Sequence, residues 1–578
     1  MNRRSITWLF LTLSLAFVGG QLASLRGRDG MTSFFSANDR SRWATVVSLV
    51  ENGSYEIDSL TRQTHPTMRN RRPFDTIDKV MHRGSDGQFH AYSSKPPLLA
   101  TLVACVYAPI HYATPLSIRQ FPSYTPKIVL ALVNGPLLAS MILCVMSAAS
   151  TRMRSRWSWA MAATGISLCT LVSAMAVSLN NHLFAAAATS WVLALFMRLN
   201  DSSPNHPDPK RSKFSATGPL ASLLAGGSAA LAVVAELPAL SMLCVWLVLF
   251  AWRDRRTVPG FLAGALSVAG LATACNGAAH GSWRVPYAHR GVGETLHRLA
   301  EFDPSAATEF RPRTLEELIN APEVPAGAFR AELEQRLGPG PFRYSKSDEA
   351  NRWRLQHAGK DYAIVRIMAD GDTPVADETV EEKTVADAMW VLARWDDWYE
   401  YPGSYWQEGR RVGVDLGEPD RARYAFHMLL GRYGVFSLTP MWCLVPLGLW
   451  VAMRPLWRHS PVAWFTDDTL RSALAPAALA LGIAVVTLTC IAFYIARPVI
   501  DRNYGGVSVG FRWLFWLAPL WWWAACGTLD TWGGRSKTRW GKVWVVALLA
   551  ASFFSVVVSI DNPWQPPWIV RLERFFSG

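Results

Sequence analysis

Apolar runs alternate with polar connectors from one end of the chain to the other. They fall at about residues 6–25, 96–113, 126–150, 157–177, 182–198, 218–235, 237–252 and 258–276, and again at about 436–453, 470–494, 511–527 and 543–560. Most have about 18 to 25 residues, the length a helix needs to cross a bilayer. The pattern predicts an all-α polytopic membrane protein with about 11 to 13 transmembrane helices. Two long polar stretches interrupt it. One, at 26–95, is a charged loop of roughly seventy residues; the other, at 277–430, is long enough for a small domain of its own. The predicted division is an N-terminal transmembrane module over 1–276, a small α+β extracytoplasmic domain over 277–430, and a C-terminal transmembrane module over 431–578.

Within the first loop Trp43, Val46, Val47 and Val50 recur at helical spacing and Gly53 follows as a stop. This predicts a short amphipathic helix lying on the membrane surface. Pro96-Pro97 opens the next apolar run, where a helix tolerates proline best. In the second polar stretch Leu315 to Ile319 and Phe329 to Leu337 read as helices, the latter stopped by Gly338-Pro339-Gly340. Trp353 to Gln356 and Tyr362 to Arg366 read as a β-hairpin turning at 357–361. The acidic, aromatic run Asp396 to Trp406 suits the rim of a binding cleft. Pro204 to Pro209 reads as a turn-rich linker.

Charge changes the picture by its placement. The chain has 578 residues, 50% hydrophobic and only 17% charged, with a net charge of +13. Much of the basic excess sits in short connectors: Arg152, Arg154 and Arg156; Lys210, Arg211 and Lys213; Arg253, Arg255 and Arg256; Arg535, Lys537, Arg539 and Lys542. Short basic loops mark the cytoplasmic face and argue against nucleic acid as the partner. Asn2-Arg3-Arg4 before the first run predicts an uncleaved anchor with a cytoplasmic N-terminus, in a membrane of the bacterial inner type. The junctions near Asn181 and Glu236, the 277–430 stretch, the 497–510 loop and the C-terminal tail then lie outside. Outside placement of the first loop requires either that one segment between 96 and 150 does not cross or that an extra crossing lies near Asn134-Gly135-Pro136. The eight cysteines fall within or at the ends of apolar runs with no CxxC spacing, so neither a metal finger nor a disulfide framework is supported.

The outward ends collect polar groups that a membrane segment carries only at a cost, and each is a candidate for function. They are Asp39, Arg42 and Lys95 of the first loop, Asn180-Asn181-His182, Glu236, and Arg502-Asn503-Tyr504-Gly505-Gly506 followed by Arg512. Together they suit group transfer from a phosphate-linked carrier. Asp39 would take the proton of an acceptor hydroxyl. Lys95, Arg502 and Arg512 would hold the leaving phosphate, and Arg42, Asn181, His182, Glu236 and Tyr504 would contact substrate. Structural roles compete with each assignment. Asp39 can N-cap the helix after it, and Asn180-Asn181-His182 can cap the next segment. Lys95 can snorkel to headgroups, and Arg502 and Arg512 can anchor there. Trp513, Trp516 and Trp521 to Trp523 suit an interfacial belt and packing better than a sugar platform.

The first loop resembles that of the GT-C glycosyltransferases of the polyprenyl-phosphate-dependent type, which include the aminoarabinose transferase of lipid A and the protein O-mannosyltransferases. Asp39-Arg40-Ser41-Arg42-Trp43-Ala44 keeps the Asp, Arg, aromatic and Ala of the family's Asp-Glu-x-Arg-Tyr-Ala, and Lys95-Pro96-Pro97-Leu98 is intact. Ala232 to Pro238 is similar to a later family stretch, with Glu236 where the family has Lys. The resemblance implies a GT-C-like membrane glycosyltransferase with a polyprenyl-phosphate-linked sugar donor and an extracytoplasmic lipid, glycan or protein acceptor. It implies Asp39 as catalytic carboxylate, Lys95 as phosphate contact, and Asn181 and His182 standing where the family has another acidic site residue. Arg40 and Ser94 replace family acids, so the cofactor is left unknown and no metal ligand is assigned. The competing reading is a non-catalytic polytopic protein, a lipid-linked sugar flippase or an assembly scaffold. Carriers place ionisable groups near the midplane, whereas here they gather at one face.

Overall fold

A computed structural model describes residues 1–27, 30, 32–65, 71–201, 218–368, 388–407, 409–459, 464, 468–535 and 539–577. The turn-rich linker at Pro204 to Pro209, the basic residues Lys210, Arg211, Lys213 and Lys537, and Arg69 lie outside the described residues. The chain forms two compact units: Met1–Val50, Leu98–Thr273 and Gly413–Gly578 make the first, Glu51–Pro97 and Ala274–Val412 the second.

The first unit is helical. Among the described residues seven helices are long and apolar enough to cross a membrane: Arg3–Ser24, Thr125–Ala148, Arg156–Val177, Asn181–Asn200, Arg255–His280, Thr469–Ala496 and Arg539–Val557. Pro97–Ala113, Pro219–Ala235 and Leu237–Arg253 are apolar but shorter. Two of the apolar runs near the C-terminal end are divided by helix breaks. The run at 436–453 divides into Val435–Leu438, a 3-10 turn over Pro440–Cys443 and the ten-residue helix Leu444–Met453. Likewise 511–527 divides into a 3-10 stretch, Arg512–Leu517, and the helix Ala518–Leu529. A ten-residue helix is only about 15 Å long, half a hydrocarbon core. The extra crossing considered near Asn134 does not form, because Thr125–Ala148 runs unbroken through Pro136. Asn134 instead donates to the carbonyls of Ala176 (2.8 Å) and Ser178 (3.0 Å), satisfying the frayed end of the neighbouring segment.

Small residues set how closely these helices approach. A Cβ on Gly226 would stand 1.8 Å from the Phe261 carbonyl oxygen, and one on Gly264 would stand 1.9 Å from that of Leu223. Both obstacles are backbone, so neither can swing aside; this is the close crossing that glycine permits in apolar helices. Gly264→Val is therefore expected to force Pro219–Ala235 and Val258–His280 apart and destabilise the fold by about 1–3 kcal/mol, read as a lower midpoint of thermal unfolding. The Trp-rich run is packing: Trp516, Trp522 and Trp523 are fully buried, and the Trp522 ring lies where Gly165 leaves room for it.

The helix containing Trp43 forms at Ala37–Glu51, as its spacing predicts. It is not a surface helix. Ten of its fifteen residues are buried, Asp39, Arg42 and Trp43 included, because Ser41, Ala44, Thr45 and Ser48 leave no charged face to present to water.

The second unit is built on a five-stranded antiparallel sheet in the order β3-β7-β6-β5-β4, with a separate hairpin β1-β2. The strands are β1 Lys79–Arg83, β2 Phe89–Ser93, β3 Val292–Leu299, β4 Arg343–Lys346, β5 Arg352–His357, β6 Lys360–Met368 and β7 Ala388–Trp395. Leu315–Ile319 and Ala328–Leu337 are helices as expected, the latter stopped at Gly338 with φ 92°. The β5–β6 turn is tighter than the sequence reading. His357 pairs with Lys360, leaving only Ala358 and Gly359, both at positive φ (48° and 71°), the conformation of a two-residue hairpin turn. Phe302, Leu333, Trp353, Leu355, Ile364 and Leu392 form the core against the sheet. The run Asp396 to Trp406 packs inward where a rim was expected. Trp398, Tyr399 and Tyr401 are buried, and Trp398 stacks on His289 at 3.5 Å between ring centroids. Asp397 and Glu400 both pair with the buried Arg352.

Candidate functional site

Local sequence first decides which polar groups are occupied by the backbone. The Asp39 carboxylate accepts from the N–H of Phe35 and of Ser36, each at 3.0 Å, while Ser36 Oγ accepts from the Asp39 N–H at 3.1 Å. This is a reciprocal cap at the start of Ala37–Glu51. Ser36, not Asp39, is thus the N-cap; Asp39 answers it from inside the first turn and is fully buried. Burial raises its carboxyl to about 6, partly offset by those two N–H groups and by Arg40. Each oxygen accepts one backbone bond and keeps a second lone pair.

The Asn180-Asn181-His182 triplet divides the work. Asn180 is the cap: its side-chain oxygen accepts from the N–H of His182 (2.9 Å) and Leu183 (3.2 Å). Asn181 and His182 thereby keep their side chains for tertiary contacts. Glu236 is aimed by a chain break. The Pro219–Ala235 helix ends there, Glu236 is extended (φ −138°, ψ 100°), and Pro238 starts the next turn.

These groups converge in one relay, in which Arg42, His182 and Glu236 are buried and Asn181 and Arg512 half-buried. Arg42 Nη2 donates to Asn181 Oδ1 at 2.9 Å, and Asn181 Nδ2 donates to Glu236 Oε1 at 2.7 Å and to the Ala235 carbonyl at 2.8 Å. Glu236 Oε1 also meets His182 Nδ1. His182 Nε2 lies 2.8 Å from Arg512 Nη1. A guanidinium only donates, so Nε2 must accept; the ring proton then sits on Nδ1, beside Glu236 Oε1, and the imidazole is neutral. Arg512 is further fixed by donating from Nε to the Gly505 carbonyl at 2.6 Å and by lying 4.6 Å over the Trp564 ring. Arg42 Nη1 is held by Asn38.

Among the comparisons with known proteins, no family model and no curated protein matches this chain. It is similar to two crystal structures of the Archaeoglobus fulgidus oligosaccharyltransferase. One is in the apo form, with 10% sequence identity; the other is tethered with an acceptor peptide containing the NVT sequon via a disulfide bond, with 11% identity. In both cases the TM-score is 0.43 and the match covers 96% of this chain. The chain spans 56% of the length of those structures.

Other expected site residues are held differently. Arg502 is buried and donates from Nη1 to the Pro419 carbonyl at 2.9 Å; it makes no ion pair among the described residues. Tyr504 Oη donates to Glu418 at 3.4 Å. Tyr504, Gly505 and Gly506 all have positive φ (56°, 86° and 75°), so the glycines are needed for the turn that offers its carbonyl to Arg512. Lys95 belongs to the second unit, where its ammonium pairs with Asp78 at 3.1 Å. Among the described residues no three His, Cys, Asp or Glu side chains are grouped to hold a metal ion. Sequence reasoning missed Asn38, Asp78 and Trp564 as partners of these residues. Asn38 carried a local signal, standing one helical turn before Arg42 on the same helix, whereas Asp78 and Trp564 are tertiary partners.

Glu236 is the relay's only anion, and two variants separate its roles. Glu236→Ala leaves the Asn181 amide and the His182 Nδ1–H facing a gap, a loss of about 1–3 kcal/mol for each donor left unpaired. Glu236→Gln keeps an acceptor oxygen for both and is expected to cost about 1 kcal/mol. Thermal unfolding of the purified proteins in detergent checks the difference.

Proposed function

We propose that this chain is a membrane glycosyltransferase that moves a sugar, with inversion, from a polyprenyl-phosphate-linked donor to a lipid, glycan or protein acceptor on the extracytoplasmic side. The observation that carries this reading is the relay Arg42–Asn181–Glu236–His182–Arg512, largely buried where apolar segments end and joined to the loop that holds Arg502. In this reading the acceptor oxygen attacks the anomeric carbon, the bond from that carbon to the donor phosphate oxygen breaks, and the acceptor proton passes to Asp39. Polyprenyl phosphate leaves with one more negative charge, which Arg512 and Arg502 stabilise by charge-assisted hydrogen bonds. Glu236 and His182 set the direction of Arg512, and Asn181 sets that of Arg42. Tyr504 and its glycines shape the same loop.

Asp39 is buried, so an acceptor reaches it only when neighbouring side chains move. The raised carboxyl makes it a base suited to near-neutral pH. The localisation that goes with this reading is a bacterial inner membrane with the N-terminus cytoplasmic. Transfer of labelled sugar from a polyprenyl-phosphate donor by the purified protein tests it. Transfer needs the ionised carboxylate, so kcat/KM should rise with pH through an acid limb near 6, the raised Asp39 value. Stability should move oppositely. A carboxyl raised in the folded state contributes stability below its unfolded value of 3.8, and that contribution is lost as pH rises through about 6. An acid limb unchanged in Asp39→Glu and Asp39→Asn would remove Asp39 from the chemistry.

A further inference from the structure

The C-terminal helix Trp568–Ser577 has ten residues, about 15 Å, too short to cross a bilayer. At 3.6 residues per turn Trp568, Ile569, Leu572, Phe575 and Phe576 share one side, an arc of about 120°; Arg571 borders it and Arg574 lies on the opposite face. Leu572, Phe575 and Phe576 are 47%, 80% and 78% exposed, so this stripe is not consumed by packing. The helix is nonetheless firmly placed. Trp568 donates to Ser555 Oγ (2.9 Å), Arg571 donates to the Val558 carbonyl (2.8 Å), and Glu573 pairs with Arg432 (2.7 Å). A ten-residue connection, 558–567, joins it to Arg539–Val557, one of the helices long enough to span a membrane.

A cleft of about 540 Å³ opens between these two helices. Its wall is apolar, formed by Phe554, Val557, Trp568, Leu572 and Phe575, and its polar edge carries one acid and one base, Asp561 and Arg571. A single amide separates the two charges: Gln565 Nε2 donates to Asp561 at 3.0 Å, and Gln565 Oε1 accepts from Arg571 at 3.3 Å. Neither charge forms an ion pair among the described residues; Arg571 spends its donors on Val558 and Gln565 oxygens.

We propose that this cleft binds a bilayer phospholipid with a primary-amine head group. The phosphate meets Arg571, the ammonium meets Asp561, and one acyl chain lies along Phe554, Val557, Leu572 and Phe575. The charge pattern selects the head group: a phosphate needs a cation and an ammonium needs an anion, one amide apart. The exposed stripe of the terminal helix lies in the plane of the interface beside it. This site is independent of sugar transfer and uses none of the relay residues.

The test uses the full chain reconstituted in vesicles containing phosphatidylethanolamine or phosphatidylglycerol with a photoactivatable acyl chain, and maps crosslinks by peptide mass. Labelling is expected on the 554–575 segment, several-fold higher with the ethanolamine lipid. Asp561→Asn should remove that preference, and the double variant Leu572→Ser, Phe575→Ser should lower labelling several-fold. All three side chains are partly or largely exposed, so the variants should keep the wild-type unfolding midpoint. Equal labelling by the two lipids, or labelling unchanged in either variant, would overturn the proposal.

Discussion

Asp39→Asn is expected to reduce sugar transfer by about 10²–10⁴-fold, the contribution of a positioned general base, while leaving the protein folded. The two halves of that expectation come from one geometry. The Asp39 carboxylate is held by two N–H groups at the start of Ala37–Glu51. An amide in its place keeps one of those bonds and loses the other, worth about 1 kcal/mol. It also has no lone pair basic enough to take a hydroxyl proton. A pure capping role predicts the reverse: a small loss of stability and transfer that changes little. Measuring the unfolding midpoint and transfer rate on the same preparation separates the two.

Arg352→Leu is expected to destabilise the second unit by about 3–5 kcal/mol, the size seen when one partner of a buried charge cluster is removed. Arg352 is 1% exposed and pairs with Glu349 (3.0 Å), Asp397 (3.0 Å) and Glu400. Burial already pushes the Glu400 carboxyl above its usual value, with Arg352 as the chief opposing influence. Without the guanidinium, Glu400 and Asp397 confront each other in a buried site. A carboxyl raised in the folded state loses its stabilising contribution as pH rises, so the deficit of the variant should be larger at pH 8 than at pH 5. A deficit independent of pH would point to lost packing over Trp395 instead, which Arg352 covers at 5.0 Å.

What could be read from the sequence was what local chemistry determines. Trp43, Val46, Val47 and Val50 announced their helix, and Ala358-Gly359 lay inside the segment marked for a hairpin turn. Burial of the Trp43 helix was not legible, because Ser, Thr and Ala serve an interior crossing as well as a wet face. The breaks at Pro440 and Pro519 fell inside continuous apolar runs, so hydropathy gave no sign of them. Candidate residues Arg42, Asn181, His182, Glu236 and Arg512 stood out as costly polar groups at apolar ends. Their pairing did not: Arg42 meets Asn181 across 139 positions, and His182 meets Arg512 across 330. Lys95 shows the same limit. Its ammonium pairs with Asp78, just ahead of β1, through a contact no short motif encodes.

The most direct test of the central claim follows a doubly labelled polyprenyl-phosphate sugar, with one label on the sugar and one on the lipid, in vesicles containing the purified protein. A transferase predicts that the labels part: sugar appears on acceptor while polyprenyl phosphate accumulates one for one, and Glu236→Ala slows both together. Labels that stay joined while the intact donor moves from one leaflet to the other would contradict the account and make the protein a carrier.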